Sequence, residues 1–272
     1  MEVAARTIDF GERFTLIPLG DLHLGARACD EKRINRLVEW VLARPDTFVL
    51  GMGDYAELIP RQDARRFDAD SIKPELLENL DNLIPLQRDM IIKVFEDLAY
   101  KGRLLGMLTG NHEISIKKNY SMDIMDEVCT KLDTPNLGFS CLYRLTLKNQ
   151  RARKNVVIYA HHGWGGGRKS GASINKLIDL MSSYQADIYL SGHDHDKIGK
   201  RKPRLSITST GKPRLKSTPA ILGRTGTFLR TAQQGTTNYA EVAGYPPTDL
   251  GVLRIDMRFT GKHDEVDLHV SE

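Results

Sequence analysis

The chain has 272 residues, which is enough for one large α/β domain. Hydrophobic residues make up 40% and charged residues 27%, with a net charge of +4, an ordinary balance for a globular protein. No apolar run of about 18 residues is present, so the sequence predicts no transmembrane helix and no membrane partner. Charges interrupt the N-terminus where a signal peptide needs an apolar core, so we expect a cytoplasmic protein. Three scattered cysteines argue against a disulfide framework and against a cysteine zinc site.

Short apolar runs alternate with helical patterns through the first half of the chain. Residues 14–20, 47–54 and 103–113 each contain an apolar run that predicts a buried strand. Between the first two runs, apolar residues recur at helical spacing and predict an amphipathic helix that ends near Pro45. Two or three helices are predicted within 63–100. Another is predicted over 121–132, with Ser121 as its N-cap.

The second half of the chain continues this alternation and then changes character. Strands are predicted at 141–148, 155–163 and 186–195, and an apolar stripe predicts a helix over 173–184. After residue 197, short alternating segments rich in Thr, Ser, Gly and Pro predict β-structure. We interpret residues 1–272 as a single domain, with a helical insertion around 55–100 and a β-rich C-terminal part from about 198.

Polar residues follow five of the apolar runs at the point where each run ends. Four runs end in Gly closely followed by Asp, Asn or His, and the fifth ends directly in His. Ligands of open α/β sheets collect at the carboxyl ends of strands, so these clusters predict one converging site. The side chains concerned are two aspartates, one asparagine and several histidines, with no cysteine among them.

This mixture of imidazole and carboxylate groups suits divalent transition metals such as Mn, Fe, Zn or Co. It does not suit calcium, which takes oxygen ligands only. About seven ligands exceed what one tetrahedral ion needs, so two ions that share a carboxylate fit better. Two-metal sites commonly clamp phosphate oxygens and activate a water molecule.

The five clusters resemble the signature blocks of the calcineurin-like metallophosphoesterase superfamily, in the same order and at strand ends. The blocks are Asp21-Leu22-His23, Gly53-Asp54, Gly110-Asn111-His112-Glu113, His161 and Gly192-His193-Asp194-His195. They span residues 21–195. The resemblance implies a four-layer α/β/β/α metallophosphoesterase sandwich, with the metal site at the C-terminal ends of the strands.

The resemblance also implies a role for each matching residue. Asp21, His23 and His195 would bind the first metal ion, and Asp54 would bridge the two ions. Asn111, His161 and His193 would bind the second. Manganese is the expected ion, with iron, zinc and cobalt as alternatives, and a hydroxide between the ions would attack the phosphorus in line. His112 would protonate the leaving-group oxygen or stabilise the transition state.

His161 is followed by His162, and adjacent strand residues point to opposite sides, so only one of them should bind the nearer metal ion. The family block favours His161. For His112 to act as a general acid it needs an orienting partner, and Glu57, three residues after Asp54, is the candidate, although such an acid is more often on the surface.

Two basic segments are candidates for substrate binding. Residues 163–171 follow a strand and precede a helix, but Arg168 stands where a triphosphate-binding loop needs Gly. We expect Arg168 and Lys169 to reach a substrate phosphate instead. The stretch 197–216 holds eight basic residues and no acidic one. A solvated hairpin is the ordinary reading of such a run, but because it follows the fifth block we expect it near the site mouth, where it could bind nucleic acid.

Two functions of different classes fit this sequence. The first is hydrolysis of a phosphomonoester or phosphodiester, including a nucleotide or nucleic acid. The second is a binding module that keeps the fold without the chemistry. Every ligand position is filled and His112 is present, which favours the enzyme.

Overall fold

The computed structural model of the protein describes residues 1–9, 11, 13–63, 67–148, 153–165, 170–208, 211–232, 241, 244, 246–259 and 266–272, with the backbone alone for 170–173. Its strands are β1 (Glu2–Asp9), β2 (Arg13–Leu19), β3 (Thr47–Gly51), β4 (Leu104–Met107), β5 (Ser140–Lys148), β6 (Arg153–His161), β7 (Ile188–Ser191), β8 (Lys197–Ile207), β9 (Leu215–Thr227), β10 (Gly251–Val252), β11 (Arg254–Phe259) and β12 (Val266–Ser271). Its α-helices are α1 (Glu31–Leu42), α2 (Pro74–Leu77), α3 (Leu83–Tyr100), α4 (Asn111–Tyr120), α5 (Ile124–Lys131) and α6 (Ser170–Ser183). Two 3₁₀ turns, Ala69–Ser71 and Leu80–Asn82, flank α2.

In the described part of the chain the strands form two sheets. One has the order β12-β11-β2-β3-β4, and the other has the order β1-β5-β6-β7-β9-β10, with β8 paired to β9. Strands β2, β3 and β4 run parallel to one another, as do β6, β7 and β9. The carboxyl ends of each parallel group therefore lie at one edge of its sheet.

The two sheets pack face to face, and helices cover their outer faces. Side chains alternate across each strand: Phe14 and Leu16 face the opposite sheet, whereas Ile17 and Leu19 face helices α1, α3 and α5. On the other sheet, Tyr189 packs against α6. These layers confirm the predicted α/β/β/α sandwich. No helix among the described residues is long and apolar enough to cross a membrane.

Three local features differ from the sequence prediction. Strand β1 was not predicted because Ile8 is its only buried residue, which leaves no apolar alternation to detect. Helix α4 was not predicted because only Glu113 and Ile116 of its ten residues are buried. Ser121 does not begin a helix; it ends α4 with a left-handed φ of 53°. The N-cap of α5 is Asp123, whose carboxylate accepts from the amide of Asp126.

Candidate metal centre

The loops after β2 and β7 bring a first group of candidate ligands together. Nε2 of His23 lies 3.1 Å from Nε2 of His195, and Nε2 of His195 lies 3.4 Å from Oδ1 of Asp21. The Asp21 side chain is fully buried, and its carboxylate also accepts from the backbone amide of His193 at 3.0 Å. The three residues converge from two different sheets.

A second group lies at the ends of β3, β4, β6 and β7. Oδ1 of Asn111 is 2.9 Å from Nε2 of His162 and 2.7 Å from Nδ1 of His193. Nε2 of His162 is also 3.2 Å from Oδ2 of Asp54. The Nδ1–H of His162 donates to the carbonyl of Met52 at 2.8 Å, which directs Nε2 towards the other three side chains.

The prediction that His161 joins this group is wrong, because the structure brings His162 there instead. His162 is completely buried among the candidate ligands. His161 points to the α6 side of the sheet, where its Nδ1 accepts from the amide of Gly163 at 2.8 Å and its ring contacts Trp164. Burial first, and then the charge on His162, lower the pKa of His161 to about 4. The alternation of side chains along β6 is the physical reason: only every second residue faces the space between the sheets.

The backbone at the centre adopts an unusual conformation. Eight described non-glycine residues have a positive φ, and five of them belong to the two groups. Those five are Asp21, His23, Asp54, His193 and His195. Each left-handed residue costs roughly 1–2 kcal/mol, so the fold must over-determine them. Because Asp21 and His23 both have a positive φ, left-handed turns and not strand alternation direct the two side chains inward.

The carboxylate of Glu113 links the loops that follow β3 and β4, a role that was not expected from the sequence. Its carboxylate accepts from the amides of Asp54 (3.0 Å), Tyr55 (2.8 Å) and Gly110 (2.8 Å). Burial first, then the neighbouring Asp54 charge, raise the pKa of Glu113 to about 7. The sequence signal for this role is an acidic residue at the third position of helix α4, because a carboxylate there can accept from backbone amides of the preceding loop.

Glycine permits the close approach of these loops. Gly53 has a φ of 91°, and a Cβ there would lie 2.7 Å from the amide nitrogen of Gly110 and 2.7 Å from Nδ1 of His162. A side chain at Gly53 would therefore push the β3 loop away from both neighbours. The glycines that end the apolar runs thus serve packing as well as turning.

Glu57 and His112 both lie beside the first group. The Glu57 carboxylate pairs with Nδ1 of His23 at 2.8 Å, whereas its backbone carbonyl accepts from Nδ1 of His112. The expectation that the Glu57 carboxylate orients His112 is therefore corrected, because that carboxylate orients His23. His112 is fixed by the Glu57 carbonyl and by its own amide, which donates to Asp54 at 3.0 Å.

The electrostatics of the centre favour bound positive charge. Burial alone would raise the pKa of Asp54, but His162 and other histidines hold that pKa well below its usual range. Burial alone would lower the pKa of His162, but the Asp54 carboxylate outweighs it and raises the pKa to about 10. A proton on His162 thus balances the carboxylate, and a metal ion would take over that role and release the proton.

The donor set fits a pair of divalent cations. Two ligands of one ion lie about 3–3.5 Å apart when each is about 2.0–2.2 Å from it. The separations within the first group, 3.1 and 3.4 Å, and within the second, 2.7–3.2 Å, are close to that range. All the donors are imidazole nitrogens or oxygens, the set that suits Mn, Fe, Zn and Co.

A buried ion pair supports the loop that holds His193 and His195. Arg224 of β9 pairs with Asp194 and donates to the carbonyl of Gly192 at 2.8 Å. The Arg224 and Asp194 side chains are 1% and 2% exposed. Lys176 of α6 approaches Asp194 at 3.5 Å. Arg224 lies about thirty residues after His195, so no local sequence pattern indicates that it supports this loop.

The basic stretch 197–216 runs away from the centre, so the prediction that it lies at the site mouth is wrong. Its described residues, 197–208 and 211–216, include β8 and the start of β9. Strand β8 leaves the carboxyl edge at Lys197 and runs antiparallel to β9. Ten residues of strand place Ile207 about 33 Å from Lys197. Acidic partners also neutralise some of its charge: Lys197 pairs with Asp249, and Arg201 pairs with Asp267. The expected phosphate-binding residues Arg168 and Lys169 lie outside the described residues.

A family model described as calcineurin-like phosphoesterase matches residues 14–197, which is more than half of the chain. The chain belongs to this family. The match covers both groups of candidate ligands and confirms the resemblance seen in the sequence blocks. Among curated proteins, none matches this chain.

Solved structures similar to this member of the family include a predicted phosphoesterase from Streptococcus pneumoniae. It is 13% identical, with a TM-score of 0.35, and the match covers 95% of this chain and 90% of that one. A Thermotoga maritima protein is 14% identical, with a TM-score of 0.35 and coverage of 96% and 99%. Vps29 of Entamoeba histolytica, solved in complex with Zn²⁺, is 11% identical, with a TM-score of 0.34 and coverage of 95% and 98%.

Proposed function

We propose that this protein hydrolyses phosphate esters with the help of two divalent metal ions. The observation that supports this best is the convergence of two ligand groups from both sheets, with spacings that fit one ion each. Asp21, His23 and His195 would hold one ion, and Asn111, His162 and His193 the other. Asp54 would bridge them, since its carboxylate interacts with histidines of both groups.

Two bound divalent ions supply phosphate binding, charge neutralisation and water activation, and manganese is the ion we propose. The chain itself supplies a proton donor. The Nδ1–H of His112 is engaged by the Glu57 carbonyl, which leaves Nε2 for proton transfer to the leaving-group oxygen. Burial lowers the pKa of His112, but the Asp54 and Glu57 carboxylates outweigh it and raise the pKa, which favours the protonated acid.

For the substrate we propose a phosphomonoester or phosphodiester that enters between the loops of the two sheets. Nucleic-acid binding through 197–216 stays a prediction, and the direction of β8 moves it to a surface distant from the centre. Charge reversal at Lys200 and Lys202 should weaken DNA or RNA binding and reduce its salt dependence. Unchanged binding would remove this partner.

The proposed function is tested with Mn-loaded protein on p-nitrophenyl phosphate and bis-p-nitrophenyl phosphate. Asp54→Asn and His112→Ala should both lose turnover while thermal unfolding shows an intact fold. Asp89→Asn changes an exposed carboxylate and should be unaffected. Full activity in both site variants would refute the assignment. Parent protein that binds less than one equivalent of metal, even after addition of Mn, Fe or Zn, would favour the binding module.

A further inference from the structure

A large aromatic side chain lies exposed at the rim of the metal centre. Trp164 is 41% exposed, and it follows Gly163, which is itself packed against the centre. A Cβ added at Gly163 would lie 2.5 Å from Cβ of His193. Trp164 is also only two residues after His162, so its Cα lies within about 7.6 Å of the Cα of that candidate ligand.

Two elements, α6 and the end of β6, contact Trp164. Nζ of Lys176, on α6, donates to the Trp164 carbonyl at 2.8 Å and lies 5.8 Å from the ring centroid. The indole meets the ring of His161 edge-on, with centroids 4.7 Å apart and planes at 68°. Lys176 in turn approaches Asp194, which the buried Arg224 holds. A Trp that serves packing alone is usually far more buried than this one, whereas a pre-positioned exposed ring is suited to a ligand.

We propose that Trp164 is a stacking platform for a nucleobase of the substrate, so that the enzyme acts on nucleotides or on the ends of single-stranded nucleic acid. This proposal rests on the proposed phosphoesterase function. Trp164 is only two residues after the candidate ligand His162, and a nucleotide likewise places a flat base one sugar away from its phosphate. Base–aromatic stacking is tolerant of sequence, so one exposed ring serves any base. Lys176, whose side chain is 22% exposed, adds a cation on the same rim.

The test compares substrates that share a phosphate and differ in the base. Adenosine 5′-monophosphate is paired with ribose 5-phosphate, and the dinucleotide ApA with its counterpart that lacks the second base. Trp164→Ala should raise KM for the base-bearing member of each pair by about 5- to 150-fold, the range of one stacked base. KM for the base-free member and kcat for both should change by less than about two-fold, and Trp164→Phe should restore most of the affinity. Tyr100→Ala, which removes an aromatic residue that is 90% exposed on α3, is the matched control.

Equal changes in KM for both members of a pair, or no change for either, would overturn the stacking role. Equal changes would show that Trp164 only supports the rim. If the parent protein hydrolyses none of these compounds, the proposed hydrolysis fails, and calorimetric binding of adenosine 5′-monophosphate to the Mn-loaded protein then decides the stacking role separately. A dissociation constant that Trp164→Ala leaves unchanged would overturn it in that case too.

Discussion

Replacing Glu57 tests how the first ligand group is organised. The Glu57 carboxylate and Nδ1 of His23 are 2.8 Å apart, and their side chains are only 14% and 4% exposed. A carboxylate in this position fixes the ring orientation of a metal-binding histidine and raises its basicity. Loss of such a partner typically weakens metal binding by about 10- to 100-fold, which equals about 1.4–2.7 kcal/mol.

Glu57→Gln keeps a hydrogen-bond acceptor but removes the charge, so we expect a loss near about 10-fold in Mn²⁺ affinity. Glu57→Ala also leaves a buried ring N–H of His23 without its partner, so a loss near about 100-fold is expected. Metal-stripped protein would be titrated with Mn²⁺ by calorimetry at fixed pH. Glu127→Gln, a more exposed acid that pairs with Arg88 on the surface, is the matched control.

Turnover at saturating Mn²⁺ distinguishes a Glu57 carboxylate that orients His23 from one that orients His112, which is the role expected from the sequence. The hydrogen-bond partner of His112 is the Glu57 backbone carbonyl, which both variants retain, although the loss of the carboxylate charge should lower the pKa of His112. At saturating metal and at a pH low enough to keep His112 protonated in the variants, kcat should therefore fall less than about three-fold. An unchanged Mn²⁺ dissociation constant together with a large loss of kcat would refute the role at His23. That outcome would instead support a carboxylate that acts through His112.

Three further predictions follow from the site and its surroundings. His162→Ala should lose one of the two Mn²⁺ equivalents measured by elemental analysis, whereas His161→Ala should keep both; the reverse result would restore the family-block assignment. Arg224→Met leaves Asp194 buried beside a neutral side chain and should lower the free energy of unfolding, measured in urea, by about 3–5 kcal/mol. A decrease of less than about 1 kcal/mol would contradict the stabilising role of the buried ion pair. Burial alone would raise the pKa of Asp256, but Arg13 and its other partners lower it, so its stabilising contribution is present above pH 3.8 and is lost as the pH falls further. Asp256→Asn should remove that part of the decrease in the free energy of unfolding at acidic pH. An unchanged dependence of the unfolding free energy on pH below 3.8 would contradict the pairing of Asp256 with Arg13.

Several elements were predictable because their signals are local. The strands β2, β3 and β7 are short apolar runs with a polar end, and α1 shows helical spacing over twelve residues. An element with few buried residues shows no periodic pattern of apolar residues. Strand β1 has one buried residue and α4 has two, so neither element leaves a readable pattern.

The sequence by itself determined several strands and helices and which residue types gather at the strand ends, because alternation and helical spacing are properties of neighbouring residues. The layer order was implied by the family resemblance of the motif blocks. Only the tertiary structure decided which member of the pair His161 and His162 faces the centre, since that depends on which side of β6 the other sheet covers. It also decided that the carboxylate of Glu57 meets His23, that Glu113 fastens the β3 loop, and that the basic stretch leads away from the centre. These outcomes depend on left-handed turns and on hydrogen bonds between residues 34 to 110 positions apart in the chain, which no local pattern encodes.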